Sequence, residues 1–503
     1  MTRAAAPRSD TARPPAAAPR AAAARHADPA RGTAARRGAA RHGAAAALLL
    51  AIAALALAAC GDNRSNAAGG PPGSTLRASL ADRDGDGFLE RGPGEPLRDR
   101  GAAARPGATL ATFAQLTDTH VRDEESPARV PFLDRVPGPY TSTFRPQEAF
   151  SAQVLDASIR AVNRERPQAV FVTGDITDNA QRNELDLALA TLKGDEVKPD
   201  SGAPGYDGVQ APDSPDPFYY RPDHDAPAHP GALARAQRPF RAAGLDAPWY
   251  ALVGNHDVLA QGEVPVTPEI NAFAVGDRLV PSLDPEIVEQ LPSDESFADE
   301  LVSAALDDQS GLETVKVPRD PQRRLVAPGE AERALGRHPT VDLGPRVRAI
   351  TIDTVNRDGT SQARVDPAQI ETLRAQLKAA GSRWIVVFSH NRLPDAALQA
   401  LDAHPRVVAA VSGNSHRNQI RARNGYWLIS TSSLADFPQQ ARMFRLRETT
   451  RGVALETWMV DHDGRGLAGI ARELAYLDAQ GGRPQHFAGE RSDRNTRLYV
   501  SER

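Results

Sequence analysis

Short apolar runs dominate the chain from residue 109 onward. Those at 109–116, 168–173, 248–253, 345–352, 383–388, 406–411, 425–430, 441–447 and 452–459 are rich in Val, Ile, Phe and Ala and too short for most helices, so they predict β-strands. Residues 146–165 carry a different rhythm. Phe150, Val154, Leu155, Ala157, Ile159, Ala161 and Val162 fall on one helical stripe, which predicts a helix with Pro146 in its first turn. Residues 182–193 and 367–379 predict further helices. Strands alternating with helices argue for an α/β domain over 109–503 with both sheet faces covered. Two long stretches, 197–232 and 260–343, break the alternation and are expected to be insertions that shape or cover a site.

The amino-terminal part follows another pattern. Residues 1–43 are low-complexity Ala/Arg/Pro sequence, with an Arg36-Arg37 pair that hints weakly at a twin-arginine signal, and 44–59 run for 16 residues without a charge. That run is short for a spanning helix and suits the apolar centre of a secretory signal. It ends Leu57-Ala58-Ala59-Cys60-Gly61, which resembles the bacterial lipoprotein cleavage box. The resemblance implies removal of 1–59, diacylglycerol on Cys60 and a protein held at, or released from, the extracytoplasmic face of the cell membrane. Residues 60–108 are rich in Gly, Pro and Arg and read as a flexible tether. Within it, Asp82-Arg83-Asp84-Gly85-Asp86-Gly87 matches the first half of a calcium-binding EF-hand loop. The second half fails, because Pro93 stands where a bidentate Glu belongs. Calcium at 82–90 is therefore an alternative to a solvated acidic turn.

Charge narrows the function classes. Residues 1–59 carry nine Arg and two Asp, leaving 51 basic and 62 acidic side chains in the remainder, a net −11. An acidic body of this kind argues against a nucleic-acid scaffold role. A single Cys excludes internal disulfides and thiolate metal clusters.

Chemistry-bearing residues gather where the strands end. The runs lead into Thr117-Asp118-Thr119-His120, Gly174-Asp175-Ile176-Thr177-Asp178, Gly254-Asn255-His256-Asp257, Ser389-His390 and Gly413-Asn414-Ser415-His416. Each cluster alone is an ordinary turn, but in open α/β sheets the carboxyl rim of the strands is where ligands bind. Asp223, His224, Asp225 and His229 lie in the Pro-rich insertion and read as solvated. His404 reads as a cap, and His338 and His486 have no motif around them. Tyr219 and Tyr220 either stack on a leaving group or anchor the insertion by burial.

In that order and context the five clusters resemble the signature of the calcineurin-like metallophosphoesterase superfamily: D-x-H, G-D-x-x-D, G-N-H-[DE], a lone H after a strand, and G-H-x-H. The stretches 123–134, 173–185 and 248–257 look like a secreted bacterial subgroup of lipoproteins. The resemblance implies a four-layer sandwich of two mixed β-sheets flanked by helices. It also implies a metal-dependent hydrolase that attacks a phosphate mono- or diester with a metal-bridging hydroxide. Asp118, His120 and His416 correspond to ligands of a first metal, Asp175 to the bridge, and Asn255 and His390 to ligands of a second. His256 corresponds to the non-ligand histidine that stabilises the phosphoryl group and protonates the leaving oxygen. Asp178 would orient the His256 ring, or else cap the helix that follows. Asp257 is either functional or a buried structural carboxylate. Asp, His and Asn donors suit two divalent ions such as Mn, Fe or Zn.

One position departs from the pattern. Asn414 occupies the place of the first His of G-H-x-H, normally a second-metal ligand, and an amide oxygen is the poorer donor. The departure implies a labile second metal, a one-metal enzyme, or an anchored binding protein that holds a phosphorylated ligand without turnover.

Overall fold

The computed structural model describes residues 73–129, 131–135, 143–282, 314–481 and 486–502. The chain divides into Met1–Asn63 and Arg64–Arg503, and all described residues belong to the second unit. The expected signal segment and Cys60 lie outside them. Among the described residues no helix is long and apolar enough to cross a membrane.

In chain order the elements that build the sheets and their covers are β1 (Gly73–Ser74), β2 (Ala78–Ala81), β3 (Glu90–Pro93), β4 (Arg98–Arg100), β5 (Pro106–Leu116), α1 (Ser151–Glu165), β6 (Ala169–Thr173), α2 (Arg182–Lys193), β7 (Trp249–Leu252), β8 (Thr340–Asp342) and β9 (Val347–Thr351). They continue with α3 (Pro367–Ala379), β10 (Trp384–Phe388), α4 (Asp395–Asp402), β11 (Val407–Ser412), β12 (Gln419–Arg423), β13 (Tyr426–Ser430), β14 (Gln440–Thr449), β15 (Gly452–Asp461), α5 (Gly466–Gln480) and β16 (Thr496–Ser501). One eight-stranded sheet has the order β4-β16-β15-β14-β5-β6-β7, with β1 beside β15. The six-stranded sheet has the order β8-β9-β10-β11-β13-β12. Both are mixed: β5, β6 and β7 run parallel, as do β9, β10, β11 and β13, whereas β14, β15, β8 and β12 pair antiparallel.

Why the layers stack follows from which residues each face presents. Phe113, Phe171 and Phe444 from the large sheet meet Val386, Phe388 and Trp427 from the small one in a buried inter-sheet core. Phe171 and Phe388 stack at 4.0 Å between ring centroids and Phe113 and Phe444 at 5.0 Å. The outer face of the large sheet is covered by α1, α2 and α5 through residues such as Val154, Leu185 and Leu474. Ile370, Leu373 and Leu401 of α3 and α4 cover the outer face of the small one. The result is the helix–sheet–sheet–helix sandwich that the resemblance implies.

Local signals hold in detail for α3, where Pro367 follows an Asp366–Gln369 capping box. The first helix begins later than expected. Residues Glu148–Phe150 form a tight 3-10 turn because the Glu148 carboxylate takes the backbone N–H of Arg145 at 2.7 Å and the Arg129 guanidinium at 2.6 Å, which fixes that turn from outside the helix.

The segment 73–108 is not a tether. β1 and β4 add to the large sheet, and the Thr75 hydroxyl bonds Met459 O and Asn495 Oδ1, each at 2.9 Å. It is held by strand pairing and polar contacts rather than by an apolar stripe, so hydrophobic periodicity does not reveal it. The acidic turn sits at the tip of the β2–β3 hairpin. There Asp82, Asp84 and Asp86 bring one oxygen each within 4.8 Å of one another; their carboxylates accept loop N–H groups, and the site is exposed.

Candidate metal centre

The carboxyl ends of β5, β6, β7, β10 and β11 converge on one rim, where all five motifs meet. Five residues there hold left-handed backbone conformations without being glycine: Asp118 (φ 51°), His120 (42°), Asp175 (48°), Asn414 (58°) and His416 (53°). Such conformations cost roughly 1–3 kcal/mol each and persist where surrounding structure enforces them. Glycines make the turns possible. A Cβ on Gly174 (φ 89°) would stand 2.5 Å from His390 Nδ1, and one on Gly413 would stand 2.0 Å from Thr117 Oγ1.

Asp118, His120, Asp175 and His416 are all buried, and one ligand atom from each lies within 4.8 Å of the others. The Nε2 atoms of His120 and His416 approach to 3.2 Å, and His416 Nε2 is 3.5 Å from Asp118 Oδ1. A second group adjoins it. His390 Nε2 lies 3.0 Å from Asn255 Oδ1 and 3.2 Å from Asp175 Oδ1. Asn255 is oriented by its amide N–H, which donates to Gly262 O at 3.0 Å, leaving the oxygen turned to the site. Asp175 stands between the groups, with Oδ2 3.8 Å from His120 Nε2 and Oδ1 beside His390. Imidazole, carboxylate and amide donors in two sets that share one carboxylate fit a pair of divalent ions.

Each imidazole is held by its other nitrogen, as ligating histidines usually are. His390 Nδ1 meets Thr173 O at 2.8 Å. His120 Nδ1 meets Asp178 Oδ1 at 3.0 Å, and the other Asp178 oxygen accepts from Arg122 Nε at 3.0 Å and Nη2 at 2.6 Å. His416 Nδ1 meets Asp436, whose other oxygen accepts from Arg145 Nε at 2.7 Å. Two histidines thus rest on two buried carboxylates, each backed by a buried arginine.

Electrostatics follow from burial and neighbours. Burial pushes the His120 imidazole down to about 3, leaving its lone pair free. Burial opposes charge on His390 too, but Asp175 outweighs it and pushes that imidazole up to about 10. The same contact, with His256, holds Asp175 far below the usual carboxylate range despite burial. His416 is raised against its burial by Asp436.

Asp178 differs from its expected role. Its carboxylate is taken by His120 and Arg122, and only its backbone carbonyl meets His256 Nδ1, at 2.5 Å. It does not cap the next helix either, since Gln181 is the N-cap residue of α2. The physical reason is Arg122, two residues after His120, whose guanidinium draws the carboxylate to that side. The His256 backbone N–H donates to Asp175 Oδ1 at 2.9 Å, and its ring lies 4.6 Å from that of His120. Asn414 reaches the site through its backbone, donating to Asp118 Oδ1 at 2.9 Å. Asp257 is structural: it accepts the N–H groups of Ile176, Thr177 and Gly254 at 2.7–2.9 Å, tying two motif loops together.

Asp436, Arg122 and Arg145 belong to none of the five motifs. Asp436 follows β13 outside any motif, and only its apposition to His416 reveals it. Tyr219 is buried against Phe144, Leu279 and Val317, so it anchors the 197–232 insertion.

No family model matches the chain, and no curated protein does. Solved structures are similar to it. A dimetal phosphatase from Danio rerio is 13% identical, with 71% of this chain and 97% of that one covered and a TM-score of 0.36. A Staphylococcus aureus protein assigned as a 5′-nucleotidase is 11% identical, with 72% and 58% covered and a TM-score of 0.28. A purple acid phosphatase from yellow lupin is 10% identical, with 75% and 55% covered and a TM-score of 0.27. The chain thus spans little more than half the length of the last two.

Proposed function

We propose that this chain is a metallophosphoesterase that hydrolyses a phosphate mono- or diester with two divalent metal ions. The observation that carries the reading is the placement of Asp175 between two donor sets, one oxygen facing each. Asp118, His120 and His416 would complete one set and Asn255 and His390 the other, with Asn414 entering through its backbone N–H on Asp118. Bound there, divalent ions supply Lewis acidity towards the phosphoryl oxygens and lower the pKa of a bound water.

The chain's own groups do the remainder. His256, at the same rim, would donate a proton to the departing oxygen from Nε2, because its Nδ1 is engaged by Asp178 O. Asp178 and Asp436 are positioning residues that fix His120 and His416. The fixed loops pre-pay the ordering of the site.

Release of p-nitrophenol from mono- and bis-p-nitrophenyl phosphate with added Mn, beside Asp175→Asn, tests the reading. Activity lost in the variant supports it, and inactivity of the wild type with Mn, Fe and Zn alike refutes it. Asn414 favours a second reading, a protein that binds a phosphorylated ligand without turnover; ligand binding by the metal-loaded but inactive chain would establish that instead.

The Leu57–Cys60 box supports a lipid-anchored, extracytoplasmic location. Detergent-phase partitioning that disappears in Cys60→Ser tests it, and a wild type found only in the aqueous phase ends it.

A further inference from the structure

Most described arginines on this acidic protein face carboxylates. On β12, for example, Arg423 grips both oxygens of Asp402 at 2.8–2.9 Å. Arg421, two residues earlier on the same strand, has no carboxylate within ion-pair distance among the described residues, and neither do Arg392 and Arg417. All three are exposed, and Arg417 and Arg421 lie near enough to act on Arg392 with like charge. Three cations gathered without a counter-charge repel one another, and a bound anion relieves that repulsion.

Their position ties them to the metal centre. Arg392 is two residues past His390, and Arg417 directly follows His416. Arg392 and Arg421 line a cavity of about 140 Å³ whose floor is apolar, with Ser389, Ser412, Ser430 and Gln419 as its other polar lining. These serines sit at or just past the carboxyl ends of β10, β11 and β13. Ser389 and His390 are consecutive, so the cavity, which opens beside Leu393, Leu398 and Ala410 on the outer face of the small sheet, begins one residue from a metal-site histidine. Ser415, between Asn414 and His416, bonds Ser430 through their hydroxyls at 2.6 Å. Guanidinium forks suit phosphate-like oxygens, and they carry the recognition here, since the Ser389 hydroxyl is already donated to Asn391 O at 2.7 Å.

We propose that Arg392, Arg417 and Arg421 form a second anion subsite at the rim, so that the preferred substrate is a small phosphate ester carrying a further phosphate-like group. The inference rests on the metallophosphoesterase reading for its first anchor point, and only the arginine cluster and its cavity supply the second.

The test is calorimetric binding of alkane-α,ω-diphosphonates of one to six carbons, with methylphosphonate as the single-headed comparison, to Mn-loaded full-length protein freed of excess metal. The best diphosphonate is expected to bind at least tenfold more tightly than methylphosphonate. In Arg392→Gln/Arg421→Gln that preference should fall to within about twofold, while Arg392→Lys/Arg421→Lys keeps part of it. If methylphosphonate binds and no diphosphonate exceeds it, the subsite is refuted and the metal-centre reading stands. If the diphosphonate preference persists in the Gln variant, the arginines are not its source and the proposal falls. If neither ligand binds the folded, Mn-loaded protein, both readings fall.

Discussion

His120 Nδ1 and Asp178 Oδ1 lie 3.0 Å apart in a fully buried contact, and the second Asp178 oxygen is held by Arg122 at 2.6 Å. Asp178→Asn is therefore expected to weaken metal binding, about 10–100-fold by the usual effect of such outer contacts. His256 keeps its carbonyl partner, so activity at saturating metal should largely return. Metal content after dialysis against graded chelator, with rates at low and high Mn, separates these effects; a rate deficit untouched by metal would point to His256 instead.

Asn414→His restores an imidazole at the second donor set. Retained metal per chain after dialysis should rise, and half-maximal activity should need less Mn. Equal metal content of about two ions in both proteins would show that the amide is no handicap.

Proton linkage should be visible in metal uptake. Asp175 keeps the metal-free His390 protonated up to about pH 10, and a ligating imidazole must give that proton up. Loading near neutral pH should thus release protons, and apparent affinity should rise with pH. Titration calorimetry in buffers of different ionisation enthalpy reads the proton count directly, and a count of zero would contradict the His390 assignment.

Asp123, which directly follows Arg122, offers a stability test. Burial pushes its carboxyl up to about 6 from an ordinary 3.8. A raised carboxyl makes the native state bind more protons than the unfolded one between those values, so its contribution turns unfavourable as pH rises through that window. Asp123→Asn should gain stability over wild type more at pH 7 than at pH 4.5, measured by urea unfolding at both.

Phe388→Ala removes a ring stacked 4.0 Å from Phe171. It is expected to cost about 3–5 kcal/mol by thermal or urea unfolding, and to lower metal retention because His390 is two residues further on.

How much was legible in sequence differs by kind of signal. Strands such as 384–388 and 407–412 are continuous apolar runs, and the 182–193 and 367–379 helices match their predicted limits. The motif residues were findable because each follows such a run. The Asp178 contact was not, because the choice between His256 and His120 depends on where Arg122 lies in space. Asp436 and Arg145 come from loops 291 residues apart, and no local pattern links them. The 73–108 segment escaped because backbone pairing at a sheet edge leaves no apolar period.

The two donor sets draw on both sheets: Asp118, His120, Asp175 and Asn255 from the large one, His390 and His416 from the small one. Neither donor set is complete without both sheets. Two bound ions would act as a rivet between layers, so metal occupancy becomes a gauge of sheet docking, and a collapsed chain with native strands but slipped layers would hold metal more weakly.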